Sequence, residues 1–180
     1  EEIELERATE LPLSDDAKRR LALMTDQAWR VVEAARATPL FETPIVHFLV
    51  RAFLSDGIDE VMAHMTAIEA AVGLEMDHKA FMRPRPDQHK GMKATDRVAA
   101  RIGALLNDRS SVQAYKDLFE LRSQFIHGRA DLQKISTQQR VLARSLARRV
   151  AAGTVDVALQ GPRPRVEVLS ELLDQGAPLL

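Results

Sequence analysis

The sequence predicts an all-α fold, an antiparallel helical bundle with peripheral helices. Three observations carry this. Apolar residues recur at a spacing of about 3.6 in segment after segment, and proline, glycine and short polar clusters separate those segments. Strand-like alternation is confined to Thr154 to Leu159, where Val155, Val157 and Leu159 alternate.

Residues Glu1 to Leu13 read as a charged lead-in ended by Pro12, and Ser14-Asp-Asp-Ala17 as a helix start with acids in its first turn. Leu21, Met24, Ala28, Val31, Val32 and Ala35 keep the helical period to Ala37, where Thr38-Pro39 stops it. Thr43-Pro44 predicts a second helix to about Leu54, with Thr43 as cap and Pro44 at the first position. Ser55-Asp56-Gly57 breaks the chain, and Ile58 to Leu74 is the third helix. Its stripe is Ile58, Val61, Met62, Met65, Ile68 and Val72, with Glu69 inside it.

Glu75 to Ala94 has Pro84, Pro86, Gly91 and no period, which predicts a long basic loop; from Met76 on it is expected to be the least ordered internal segment. Thr95 is expected to cap a helix to Leu106 whose inner face is Val98, Ile102 and Leu105, with Arg101 on its flank. After the turn at Asn107 to Ser110, a helix from Ser111 to His127 precedes Gly128, a stop signal. Arg129 to Ser136 connects to a helix over Thr137 to Ala152, closed by Gly153. Gly161-Pro-Arg-Pro164 breaks the chain before a short last helix, Val166 to Leu173. Residues 1–43 thus form an N-terminal arm with the first helix and residues 44–175 the bundle, together one compact domain.

The chain has 180 residues, enough for a real core, and no cysteine, so neither a disulfide framework nor a thiolate metal site is available. No stretch approaches the ~20 apolar residues of a membrane span, and nothing reads as a signal peptide. A cytoplasmic location away from membranes is the default expectation. The opening Glu1-Glu2, in place of methionine, leads us to expect a piece of a longer protein with further domains.

With 25 basic and 26 acidic side chains the net charge is −1, which counts against a broad nucleic-acid coat but leaves room for a local basic site. Two clusters qualify, and each also reads as a solvated face or loop. One spans Lys79, Arg83, Arg85, Lys90, Lys93, Arg97 and Arg101; the other is Arg140, Arg144, Arg148 and Arg149. His47, His64, His78 and His89 show no ligand spacing, so no metal and no cofactor is expected.

Two charges fall inside apolar stripes. Arg122 shares a helix side with Tyr115, Leu118, Phe119, Phe125 and Ile126, and Glu69 lies in the stripe of its own helix. They are expected to pair, with Arg101 as the competing partner, because neither can be dehydrated alone. The pair reads either as structural or as a means of orienting Arg122 toward a phosphate. His127, five residues on and roughly 140° round the helix, reads either as a helix-end histidine meeting a late carbonyl or as a site residue.

Arg122-Ser-Gln-Phe-Ile-His127 resembles the defining motif of the HEPN domains, an arginine, four to six residues and a histidine near a helix end. Leu121-Arg-Ser-Gln-Phe-Ile-His-Gly128, with Ala67-Ile-Glu-Ala70 and Asp96-Arg-Val-Ala-Ala100 before it, is similar to the Apea-like branch; the resemblance covers Val46 to Leu173. It implies a homodimer whose two motifs flank one scissile phosphate, and a metal-independent endoribonuclease leaving 2′,3′-cyclic phosphate ends, in RNA restriction, a toxin pair or defence. Arg122 and His127 would be catalytic and Glu69, Ser123 and Arg101 supporting; Ser123 stands where many relatives carry Asn or Asp. Arg129, Lys90, Lys93 and Arg97 are the RNA-binding candidates. The alternative is a non-catalytic HEPN module for dimerisation or regulation, which the near-zero charge favours. A small-ligand or nucleotide-binding helical domain, resting on the basic loop, is a third reading.

Overall fold

The computed structural model describes residues 25–128 and 135–180. Among these residues every regular element is helical. Helix α1 (Asp26–Arg36) starts where Thr25 Oγ1 accepts from the Ala28 N–H at 3.1 Å. The earlier part of the expected first helix, with Leu21 and Met24, lies outside the described residues. A 3₁₀ turn at Pro39–Phe41 follows.

Helix α2 (Ile45–Phe53) begins one residue after Pro44, and Thr43 is not its cap. The Thr43 hydroxyl instead donates to the Ala70 carbonyl at 2.7 Å, tying this corner to the next helix. Helix α3 (Gly57–Val72) is capped by Asp56, which accepts from the Gly57 N–H at 2.8 Å. It packs against α2 on one side and against α7 (Thr137–Ala158) on another, so it is buried over a wider arc than one stripe. Glu60 and His64 are therefore buried along with Val61, Met65, Ile68 and Val72.

The expected loop after Leu74 contains a single helical turn, α4 (Glu75–His78), and a 3₁₀ turn at Ala80–Met82. Arginines tie it down. Arg83 donates to the carbonyls of Met76 and Asp77, and Arg97 donates to Asp87 Oδ2 at 2.7 Å and to the His89 carbonyl at 2.6 Å.

Helix α5 (Ala94–Leu106) starts after Lys93, a residue before the expected Thr95 cap, and ends at Asn107 in the left-handed conformation. Asp108 caps α6 (Arg109–Ile126), accepting from the Ser110 N–H at 2.9 Å. Helix α7 has a reciprocal cap. Ser136 Oγ accepts from the Gln139 N–H at 3.2 Å, and Gln139 Oε1 accepts from the Ser136 N–H at 2.9 Å.

Helix α7 also corrects the sequence reading, for it runs through Gly153 and absorbs the alternating residues Thr154 to Ala158. Gly153 is there for packing: a Cβ at this position would lie 3.0 Å from Leu105 Cγ. Helix α8 (Arg165–Gly176) is longer than expected at both ends and leads into a 3₁₀ turn at Ala177–Leu179. It lies on α5, and at Gly176 the approach is closest.

The core is contiguous, built from Val61, Met65, Ile68, Ile102, Tyr115, Leu118, Leu146, Val150 and Leu169 among others. Ala35 and Leu40, from the arm of the sequence reading, belong to the same cluster. No helix among the described residues is long and apolar enough to cross a membrane.

Candidate functional site

Glu69 projects from the last turn of α3 and Arg122 from the last turn and a half of α6. Arg122 Nη1 donates to Glu69 Oε1 at 2.5 Å, and the Tyr115 hydroxyl reaches the same oxygen at 3.4 Å. Burial, and then the Glu69 charge, push the Tyr115 hydroxyl pKa up, so it serves as a donor and never as an anion at working pH.

The pair is not buried as the apolar stripes imply. The side chains of Arg122 and Glu69 are 26% and 29% exposed. The reason lies in where α6 ends. Its upstream turns bury Tyr115 and Leu118, whereas Phe119, Leu121 and Phe125 are half-buried and Ile126 is exposed, because the last turns run off the edge of the core. Arg122 therefore sits at the rim, one nitrogen held by Glu69. Among the described residues its other donors have no side-chain or carbonyl acceptor.

His127 is exposed and lies just past the last helical residue, its N–H donating to the Ser123 carbonyl at 3.0 Å. Gly128 follows at φ +66°, the left-handed stop that the sequence indicates. Ser123 is half-buried on the same turn. Arg122 and His127 are separated by about 7.5 Å of rise along the axis. A cleft of about 230 Å³ opens beside Glu69, with His78, Thr95, Tyr115 and Phe119 in its lining. His78 enters this neighbourhood from α4, where the aperiodic sequence offered no sign of a helical turn.

Arg101 is the clearest correction. Far from flanking α5 it is 1% exposed, and Asp77, not Glu69, takes it in a two-pronged pair with Oδ2 at 2.5 Å and Oδ1 at 2.9 Å. It also donates to the carbonyls of Val72 at 3.0 Å and Leu169 at 2.9 Å. It thereby joins α3, α4, α5 and α8 behind the Glu69 turn. Arg165 does similar work one turn away, donating to the carbonyls of Leu40, Ala70 and Gly73. Burial pushes its pKa down, with Glu42 opposing, yet a guanidinium stays charged.

The RNA-binding candidates divide. Arg97 is buried with its Nε and Nη2 spent on the loop, so it is not placed to meet a phosphate. Asp87 beneath it resists the upward pull of burial, because the His89 N–H and Arg97 hold its carboxyl below the usual range. Lys90 and Lys93 are exposed. Arg129 lies outside the described residues.

A second ionic cluster escaped the sequence reading. Glu60 is 1% exposed, yet Arg140 Nε contacts its Oε2 at 2.7 Å and Arg144 Nη2 its Oε1 at 2.5 Å. Burial raises the Glu60 pKa, but bonds from Arg144 and Arg140 outweigh it and hold the carboxylate below its ordinary value. The signal was available in the four-residue spacing of Arg140 and Arg144, which puts both on one face of α7. Known protein families, curated proteins and solved structures return no match to this chain.

Proposed function

We propose that the chain is a HEPN-type, metal-independent endoribonuclease whose site is completed by a second copy. The observation that supports this most is the Glu69 clamp on Arg122 at the rim of the bundle, with exposed His127 on the same helix end. One Arg122 nitrogen is fixed by Glu69 and the side chain is 26% exposed, which leaves donors for holding a phosphate in two prongs.

In this reading one His127 takes the proton from the 2′-hydroxyl. The 2′-oxygen attacks phosphorus, the bond from phosphorus to the 5′-oxygen breaks, and His127 of the second copy gives that oxygen its proton. A 2′,3′-cyclic phosphate and a free 5′-hydroxyl result. Arg122 stabilises the added negative charge on the phosphate oxygens. Two copies are needed because the motif side chains diverge by ~140° on one helix, and self-complementary two-fold contacts are the commonest assembly. Lys90 and Lys93 would carry the flanking strand. An RNA restriction, toxin or defence role fits such an activity.

The test is cleavage of labelled single-stranded RNA in EDTA, with sedimentation at micromolar concentration. A dimer that leaves cyclic ends, and a loss of ~100-fold or more in His127→Ala, are expected. Unchanged cutting by His127→Ala, or a stable monomer, would remove the mechanism. The second reading, a non-catalytic dimerisation or regulatory module, is favoured by the net charge of −1 and the burial of Arg97. Absence of cutting by a dimeric wild-type chain would put it in front.

A further inference from the structure

His64 of α3 is 4% exposed, and neither ring nitrogen has a hydrogen-bond partner. The nearest carboxylate oxygen, Glu60 Oε1, lies 3.7 Å from Nε2. Buried polar groups in folded proteins almost always find partners, and one left without costs about 1–3 kcal/mol. Burial lowers the His64 pKa; Glu60 opposes this, and Arg144 and Arg148 reinforce it, so the ring is neutral and offers one donor and one acceptor.

His64 lines a cleft of about 400 Å³ between α2, α3 and α7. That volume falls within the ~300–1,000 Å³ of small-molecule sites. Its walls differ in character. On the α2 side stand Val46, Val50 and Phe53, all exposed, and on the α7 side Arg144 and Arg148.

The charges of the cleft do not balance. Glu60 is matched by Arg140 and Arg144, and Arg140 also meets Asp56. Arg144 commits Nε and Nη2 to Glu60 and leaves Nη1 over, while Arg148 makes no ion pair among the described residues. The cleft thus holds one surplus positive charge, an apolar wall and a neutral imidazole lacking a partner.

We propose that this cleft binds a small organic monocarboxylate with an apolar body, its carboxylate taken by Arg148 and the open edge of Arg144, its body laid along Val46, Val50 and Phe53. A monoanion matches the single unmatched charge, and a fully polar ligand would leave the α2 wall dry and unused. His64 stands on the α3 side of the same cleft, its two nitrogens covered and without a partner. The site shares no residue with the Glu69, Arg122 and His127 cluster and stands or falls separately from the proposed ribonuclease activity.

Octanoate is the probe, with octanol and octylamine as controls, added to the full chain in calorimetry and thermal unfolding. Saturable binding of octanoate and not of the controls is expected, weakened at least tenfold by Arg148→Ala, whose side chain is exposed and whose loss leaves the fold intact. His64→Leu is expected to raise the melting temperature of the free chain, by removing an unsatisfied polar group. Arg122→Ala leaves octanoate binding unchanged. Equal binding of octanol would overturn the proposal by reducing the cleft to a greasy patch. So would unchanged affinity in Arg148→Ala, or sedimentation showing that octanoate acts only by separating two chains joined through α2.

Discussion

Replacing Arg101 by methionine keeps the aliphatic stem and removes only the guanidinium. What it leaves is Asp77, 2% exposed, with its two-pronged partner gone and only the Leu74 N–H still donating to it. Two carbonyls, of Val72 and Leu169, lose a donor as well. Stripping one partner from a buried ion pair costs about 3–5 kcal/mol, against a total of about 5–15 kcal/mol for a domain. Urea unfolding followed by far-ultraviolet circular dichroism should show a midpoint shift of that size at unchanged slope. The single tryptophan, Trp29, is largely exposed and is the poorer reporter. The double variant Arg101→Met with Asp77→Leu removes the stranded charge and should regain most of the loss. Arg122→Ala provides the contrast, because its pair with Glu69 lies at the rim and should be worth about 1 kcal/mol or less. An Arg101→Met chain within about 1 kcal/mol of wild type would refute the reasoning, since it would mean that Asp77 finds water or another donor.

Gly176→Ala should cost about 3 kcal/mol or more in the same assay, because the new Cβ would stand 1.9 Å from the Ala100 carbonyl oxygen, backbone against backbone. Unaltered stability would show that α8 does not lie where it is described. Asp108 gives an acid transition of known direction. Bonds from the Ser110 hydroxyl, Arg149 and the Ser110 N–H hold its pKa down to about 2 from an ordinary 3.8, so the unfolded chain takes up the proton first. Its contribution is full above pH 3.8 and is lost as pH falls toward 2; Asp108→Ala should flatten the stability curve across that window, and a curve of unchanged slope would count against the cap.

Helices were legible wherever one stripe faced one core. The stripe of α5, the upstream half of the α6 stripe and the Gly128 stop came straight from spacing, whereas α3 buries its expected stripe within a wider arc. The failures share a physical origin, for a helical wheel ranks residues only against their own axis. It could not show that α5 is enclosed by α4 and α8 on the side where Arg101 lies, or that the last turns of α6 outrun the core and leave Arg122 at its edge. Gly153 was misread because a glycine tolerated for packing and a glycine that ends a helix look alike in one sequence. Asp77 carried no signal, since its role depends on a guanidinium from a helix that comes later in the chain. The pairing of Glu69 with Arg122 was readable because two odd charges in two stripes have few ways to satisfy each other.

The carbonyls that end α3, those of Ala70, Val72 and Gly73, receive their donors from Arg101 and Arg165. Glu69, the residue that aims Arg122, stands on that same turn. On a growing chain the motif helix emerges well before Arg165, so for that interval the turn carrying Glu69 lacks one of the two cations that fasten it. Chain order therefore imposes an order of assembly, in which α8, made after the motif helix, sets the grip on a site whose own residues came before it.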